Sequence, residues 1–322
     1  MPITQQVEHA SWPSVPERMH CKICRSESDF VCSNFNEHGR VSAIHTFRCR
    51  RCGIAFVGNR ITPEDLREAY TREDIGEYYA EIYTENHKKH ITAAAAAKAI
   101  LACDTRAAIL DIGCGNGEFA QLLVQSGFLN VSVHELPSAD LQSLRNEGIG
   151  VYQDFNFACM PSNSFDLITL LDVAEHVVDP VFLFRQCRRI LRPGGYIYLH
   201  TPVVTVLDRF MQSICQLPLV GKLGRVWQRG RVNIFHLQNF TKRALSEILT
   251  AAHFDTVRIS IRNELSWPVR SYVRVHVCEK HDLPAWVCTV LSWFLAPIVK
   301  SNLVNRNKAI VSARRSMSNA SA

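Results

Sequence analysis

The run from Ile109 to Leu123, I-L-D-I-G-C-G-N-G-E-F-A-Q-L-L, changes character twice in a short span. Apolar residues from Ala107 to Leu110 lead into Asp111. Gly113, Gly115 and Gly117 then alternate with other residues, and an amphipathic stretch opens near Glu118. That order describes a buried strand, a tight glycine turn and the start of a helix. Glycines lack a Cβ, so the turn can be sharp and a ligand can come close to the backbone. Asp111, at the end of the strand, is placed to accept hydrogen bonds from a ligand or to brace the loop.

Outward from this run, strand and helix patterns alternate, as in a parallel sheet with helices on both faces. Strands are expected at Ile109–Ile112, Val131–Val133, Val151–Tyr152, Phe165–Leu171, Tyr196–His200, Thr256–Ile261 and Lys308–Ala313. Helices are expected at Glu118–Gln125, Ser138–Asn146, Asp179–Leu191 (stopped by Pro193-Gly194-Gly195) and Thr241–Ala252. Asp111, Glu135, Asp154 and Asp172 each close one of four successive strands, at the sheet edge where ligands of open α/β sheets bind. Glu135 follows the glycine loop at the distance suited to holding a ribose diol. The G-x-G-x-G spacing differs from the G-x-G-x-x-G of pyrophosphate loops. Asp111 before the loop and Glu118 after it would repel a diphosphate, so the expected ligand is a nucleoside with a positive centre.

D-I-G-C-G-N-G at 111–117, H-E-L-P at 134–137, S-F-D-L-I-T-L-L-D-V-A-E-H-V at 164–177, D-P at 179–180, L-R-P-G-G-Y-I-Y-L-H-T-P at 191–202 and F-H-L-Q-N-F-T at 235–241 together resemble class I S-adenosylmethionine-dependent methyltransferases. The likeness is to the small-molecule branch that includes ubiquinone-biosynthesis O-methyltransferases. It implies a Rossmann-like seven-stranded sheet with helices on both faces, and S-adenosylmethionine as cofactor. It also implies that Asp111, Gly113, Cys114, Gly115 and Gly117 frame the methionine half, that Glu135 with Leu136 holds the ribose, and that Asp154 and Phe155 flank the adenine. Leu171 or Asp172 would close the pocket near the sulfonium. A loop-capping role is the competing reading of Asp154. If the acceptor is a hydroxyl or an activated carbon, a base is needed, and histidine suits neutral pH. His176 and His236 are the candidates, with a purely structural hydrogen bond as the competing reading of each. In some ubiquinone O-methyltransferases an E-x-x-E-H segment binds a divalent ion. The matching residues are Asp172, Glu175 and His176, an oxygen-rich set that suits Mg2+, although the first acid is shorter by one methylene.

The segment after the fourth strand is neither N-P-P-Y nor D-P-P-Y, which disfavours methylation of nucleobase amino groups. The paired cysteines of RNA cytosine C5-methylating enzymes are absent from motif context. The expected partner is therefore a small-molecule acceptor such as a sugar, a quinone-like compound or a lipid-linked precursor, methylated on oxygen or carbon, and nucleic acid is disfavoured. An RNA methyltransferase with a zinc module and a non-catalytic zinc-module interaction protein are the alternatives. The intact set of Gly113, Gly115 and Glu135 argues against the second.

With 322 residues, 47% of them hydrophobic and 20% charged, the chain suits one large globular domain, or one with a small module. The net charge of +6 is mild. Its basic stretches read as solvated faces or as a patch for phosphate, nucleic acid or anionic lipid. Lys222 to Arg231, with Trp227 inside it, reads either as part of an RNA contact or as a holder of a phosphate or diphosphate on a substrate. Met1 to His20 is polar and lacks an apolar signal region, so a cytoplasmic, reducing setting is expected. There, cysteine pairs read as metal ligands. Cys21-Lys-Ile-Cys24 and Cys49-Arg-Arg-Cys52 are two knuckles of a tetrahedral four-cysteine Zn2+ site. With no open position, the site would be structural.

The expected organisation is a flexible tail (1–17), a zinc-ribbon-like module (18–58) and a helical linker or lid (59–104) that carries Tyr78, Tyr79 and Tyr83. A methyltransferase domain (105–315) with insertions at 203–235 and 264–305 follows, and then a disordered tail (316–322). Thr62-Pro63-Glu64-Asp65 has the makings of a helix start. Leu283 to Val299 is almost wholly apolar and short for a span. It reads as a helix packed on the core or on a dimer partner, as a peripheral membrane helix flanked by Lys300 and Arg306, or as a span. The sequence does not specify the oligomeric state.

Overall fold

The computed structural model describes residues 19–35, 41, 43–62, 64–66, 68, 75–264, 269–274, 284–301 and 305–317, without the side chains of 75–86, 271, 272 and 299. The tails at 1–17 and 318–322, and the side chains of Tyr78, Tyr79 and Tyr83, lie outside the described residues.

In chain order the elements begin with β1 (Met19–His20), β2 (Glu27–Phe35), β3 (Ala43–Cys49), β4 (Ala55–Val57) and α1 (Ile75–Ile100). The central part runs β5 (Ala108–Ile112), α2 (Glu118–Gln125), β6 (Asn130–Glu135), α3 (Gln142–Asn146), β7 (Gly150–Gln153), β8 (Phe165–Leu171), α4 (Pro180–Ile190) and β9 (Leu191–Pro202). The rest comprises α5 (Val206–Ile214), α6 (Gly221–Arg229), β10 (Gln238–Asn239), α7 (Lys242–Ala251), β11 (Phe254–Arg262), α8 (Val269–Val273), α9 (Ala285–Lys300) and β12 (Lys308–Arg315).

Seven strands form one sheet in the order β11-β12-β9-β8-β5-β6-β7. β9 through β7 run parallel, while β12 lies antiparallel between β9 and β11. The chain leaves β5 for β6 on one side and later returns to β8 on the other. The switch point where ligands of such sheets bind therefore lies between β5 and β8. All five residues of β5 are buried, as expected of a strand covered on both faces. Ile109 packs with Ala93, Ala94 and Ala97 of α1 and with Phe119 and Leu123 of α2. Its neighbour Leu110 points the other way, into a cluster with Phe184 and Cys187 of α4 and Leu245 and Ile248 of α7.

Local signals set many boundaries. Asp179 caps α4 by accepting the Phe182 amide at 3.0 Å, with Pro180 in the first turn. Thr62 and Asp65 exchange hydrogen bonds in a capping box, Thr62 N to Asp65 Oδ2 at 2.8 Å and Asp65 N to Thr62 Oγ1 at 3.2 Å. Two elements differ from expectation. α3 starts at Gln142 rather than Ser138, after turns at 137–139. β9 starts at Leu191, ahead of Pro193-Gly194-Gly195, because the register of β8 with β9 shifts between Phe165 and Leu167 and absorbs those residues as an irregularity.

A second sheet has the order β1-β2-β3-β4-β10. Its last strand comes from the large domain, Gln238 pairing with Phe56 and Asn239 with Ala55. The Thr241 hydroxyl donates to the Cys52 carbonyl at 2.5 Å and accepts the Ala244 amide at 3.0 Å, capping α7. Cys21, Phe47, Cys52 and Phe56 share a core cluster with Leu199, Phe240 and Leu245. The cysteine-bearing segment and the large sheet thus pack against one continuous interior.

Candidate active site at the carboxyl edge of the sheet

Gly113, Gly115 and Gly117 all have positive φ, at +70°, +57° and +83°. Their surroundings differ. A Cβ on Gly113 would lie 2.5 Å from Val173 Cγ2, and one on Gly117 would lie 2.4 Å from Leu144 Cδ1, whereas one on Gly115 would meet nothing within 4 Å. Gly113 and Gly117 seat the loop against its neighbours, and Gly115 faces open space. The Gly115 amide donates to Glu135 Oε2 at 3.0 Å, and the Leu136 amide donates to Oε1 at 2.8 Å. Each carboxylate oxygen keeps a further lone pair, so the Glu135 carboxylate can also accept a ligand's diol. Leu136 and Phe155 are exposed beside this edge.

Asp111 is buried, and its Oδ1 accepts the Thr169 hydroxyl at 2.6 Å. Burial pushes its carboxyl up to about 7, against the Thr169 hydrogen bond and with a push from the nearby Glu135 charge. Cys114 is buried beneath the loop, and burial raises its thiol too. Asp154 works locally: Oδ1 accepts the Phe157 amide at 2.6 Å and lies 3.1 Å from His134 Nε2, while Oδ2 accepts the Cys159 amide at 2.8 Å. Burial raises its pKa, but those bonds outweigh it and hold the carboxyl well below the usual range. The loop-capping geometry read as an alternative for Asp154 is present.

Leu171 ends β8 half-buried. The next residue, Asp172, adopts φ +57°, a region costly for a residue with a Cβ. It is tied on several sides. Lys89 Nζ of α1 reaches Oδ2 at 2.8 Å, Lys308 Nζ of β12 reaches Oδ1 at 2.7 Å, and His200 Nδ1 of β9 lies 2.9 Å from Oδ1. His200 Nε2 continues to Glu264 Oε2 at 2.7 Å. Burial opposes charge on Asp172, but Lys308, His200 and Lys89 hold its carboxyl well below the usual range. Burial also opposes charge on His200, yet Asp172 and Glu264 keep its pKa raised. Lys89, His200, Glu264 and Lys308 were not found as site residues from the sequence. His200 stands in a quoted motif, L-H-T-P, which is the only signal that pointed to any of them.

Glu175, His176 and His236 converge, their ligand atoms lying within 4.8 Å of one another. The Thr201 hydroxyl donates to Glu175 Oε2 at 2.9 Å, while Oε1, fully buried, has no hydrogen-bond partner. His176 Nδ1 lies 2.6 Å from the Phe235 carbonyl. A carbonyl only accepts, so Nδ1 carries a proton, and Nε2 lies 3.9 Å from Glu175 Oε1. The His236 ring stands edge-on to His176 at 4.8 Å. Burial, reinforced by His176 and Lys308, holds His236 well below the usual histidine range, so it is neutral. The two histidines read as base candidates are thus in contact. Of the oxygen-rich trio read as a Mg2+ set, Asp172 is engaged by two lysines and a histidine, and His236 stands with Glu175 and His176 instead.

In the smaller sheet, Cys21 Sγ lies 3.6 Å from Cys52 Sγ, and Cys24 Sγ lies 3.4 Å from Cys49 Sγ. All four sulfurs fall within 4.8 Å of one another. Four thiolates at about 2.3 Å from a tetrahedral Zn2+ stand about 3.8 Å apart, so the cluster has the size of such a site.

Sheet order, glycine loop and acidic strand ends together define a Rossmann-like α/β protein. A methyltransferase-domain profile matches residues 81–259, and the chain belongs to that family. Over 101 residues it is 35% identical to a ubiquinone biosynthesis O-methyltransferase of Pseudomonas aeruginosa (strain UCBPP-PA14), covering 29% of this chain and 43% of that protein. Over 148 residues it is 32% identical to the protein of that name from Xanthomonas oryzae pv. oryzae (strain PXO99A), covering 43% and 58%. The chain therefore matches only about half the length of these curated relatives. Among solved structures, phosphoethanolamine N-methyltransferase 2 of Haemonchus contortus, in complex with S-adenosyl-L-methionine, aligns with a TM-score of 0.53 and 18% identity, covering 93% of this chain and 71% of that one. That likeness is one of fold.

Proposed function

We propose that the chain is an S-adenosylmethionine-dependent methyltransferase acting on an oxygen or carbon of a small molecule: a sugar, a quinone-like compound or a lipid-linked precursor. The observation that carries this reading is the pairing of an open Gly115 with a Glu135 carboxylate beside it. In this reading Glu135 holds the ribose diol, and Asp111, whose carboxyl is pushed up to about 7, meets the cationic half of the cofactor. Bound there, the cofactor supplies an activated methyl on a sulfonium. The protein then has to align the acceptor and exclude water. His176 Nε2, with its tautomer set by the Phe235 carbonyl, is suited to take the acceptor's proton. Neutral His236 packs against it and shapes the same corner.

In a second reading, in which His176 Nε2 is a ligand and not a base, Glu175, His176 and His236 hold a divalent ion, and the unpartnered Glu175 Oε1 supports that role. Two imidazoles and one carboxylate suit a first-row transition metal better than Mg2+. The four-cysteine cluster suits Zn2+ in a closed, structural site that fixes β10 and the start of α7.

Calorimetry with S-adenosylhomocysteine tests the cofactor assignment. Binding by the wild type, weakened about 10- to 100-fold by Glu135→Ala through loss of charge-assisted hydrogen bonds, is the expected result. No binding, or an unaffected variant, refutes it. Mass spectrometry of catechol, sugar and lipid-linked acceptors for a gain of one methyl group then identifies the substrate.

A further inference from the structure

α9 is apolar along almost its whole length, yet only one side of it is covered. Cys288, Leu291 and Leu295 pack on Val269 and Val273 of α8, and the buried Ser292 donates to the Cys288 carbonyl at 2.6 Å. The other side carries Trp286 (68% exposed), Val290 (45%), Trp293 (73%), Phe294 (61%) and Ile298 (44%). These positions recur at helical spacing and form one continuous stripe. A helix apolar all round is normally buried all round. A stripe with two tryptophans and a phenylalanine is a larger apolar surface than scattered exposed residues account for.

Charge distinguishes what can cover it. From 269 to 308 the sequence carries six basic residues, Arg270, Arg274, Lys280, Lys300, Arg306 and Lys308, against two acids, Glu279 and Asp282, and Arg270 on α8 and Lys300 at the end of α9 are exposed. A second copy of the chain would bring the same positive rim against this one. An anionic phospholipid surface brings phosphates instead, and indole rings favour the boundary between headgroups and acyl chains. At 16 residues, α9 is about 24 Å long, short of a hydrocarbon core of about 30 Å. Among the described residues no helix is long and apolar enough to cross a membrane. α9 would therefore lie in the interfacial plane.

We propose that α9 docks this protein on an anionic phospholipid bilayer, with Trp286, Trp293 and Phe294 entering the interface and Arg270 and Lys300 meeting headgroup phosphates. The inference does not depend on the methyl-transfer reading. The test is co-sedimentation of the full chain with phosphatidylcholine vesicles, with and without phosphatidylglycerol. Binding should strengthen about tenfold or more when phosphatidylglycerol is present. It should fall about 20-fold in Arg270→Gln/Lys300→Gln, since each basic group near such a surface is worth about fivefold. Trp293→Ser/Phe294→Ser should lose binding by about tenfold or more, with an unchanged far-UV circular dichroism spectrum showing that the variant folds. Absence of vesicle binding overturns the proposal, as does binding indifferent to the Trp293/Phe294 change. A concentration-dependent dimer in light scattering that the same change dissolves also overturns it, and assigns the face to a second copy.

Discussion

The Gly115 amide donates to the Glu135 carboxylate at 3.0 Å, joining the turn after β5 to the end of β6. One bond thus shapes the loop and orients the acid proposed to meet the ligand. The glycines of that loop should respond differently to alanine. Gly117→Ala drives a Cβ to 2.4 Å from Leu144 and should cost stability by about 2 kcal/mol or more, from overpacking together with positive-φ strain. Gly115→Ala has free space and should cost only the strain, about 1–2 kcal/mol. Its larger effect should be on cofactor affinity. Urea denaturation beside calorimetry separates the two.

Asp111 predicts a pH dependence. Its folded pKa of about 7 lies above the usual carboxylate value, so the fold holds its proton more tightly than the unfolded chain does. This contribution to stability is greatest at acid pH and declines as pH rises from about 4 to about 7. Binding of a cation beside it runs the opposite way, because it requires the ionised form. Affinity for S-adenosylmethionine should rise by up to about tenfold per pH unit below 7 and level off above. In Asp111→Asn this dependence should vanish, as calorimetry across that range would show.

Asp172 stands between Lys89 and Lys308 at 2.8 Å and 2.7 Å. Asp172→Asn leaves those two half-buried ammonium groups without their nearest counter-charge and should cost about 3 kcal/mol. Lys89→Met should cost less, since Lys308 and His200 still satisfy the carboxylate. Chemical denaturation of the two single variants and the double variant measures the coupling.

The cysteine cluster is bonded into the large domain through Cys52 and Thr241 and through β10. Cys21→Ser or Cys49→Ser should therefore lower zinc content and also lower the melting temperature of the whole chain in one transition. Undiminished zinc by elemental analysis would refute the metal assignment. A separate early transition would show that the cluster is energetically uncoupled.

Much of the cofactor edge was legible because its signals are local. The loop at 113–117, the caps Asp179 and Thr241, and acids closing successive strands each depend on neighbours a few residues away, where spacing and periodicity carry the information. The two cysteine knuckles were legible for the same reason, each pair coming from one tight turn. The insertion at 203–235 was not resolved into α5 and α6, nor was 238–239 read as a strand. β10 has only two residues, and its pairing with β4 lies far away in the chain.

The sequence alone determined an α/β sheet with a glycine loop and acidic strand ends, and so the kind of ligand proposed for that edge. The tertiary structure alone decided what each of those acids does. Lys89 and Asp172 are 83 positions apart, and Asp172 and Lys308 are 136. His236 meets His176 where Gln238 of β10 bonds to the carbonyls of Ala174, Glu175 and Val177. Such meetings depend on strand order and on where long connections return. No local spacing encodes that, because the energy that selects it is the burial of whole faces rather than the preference of any short segment.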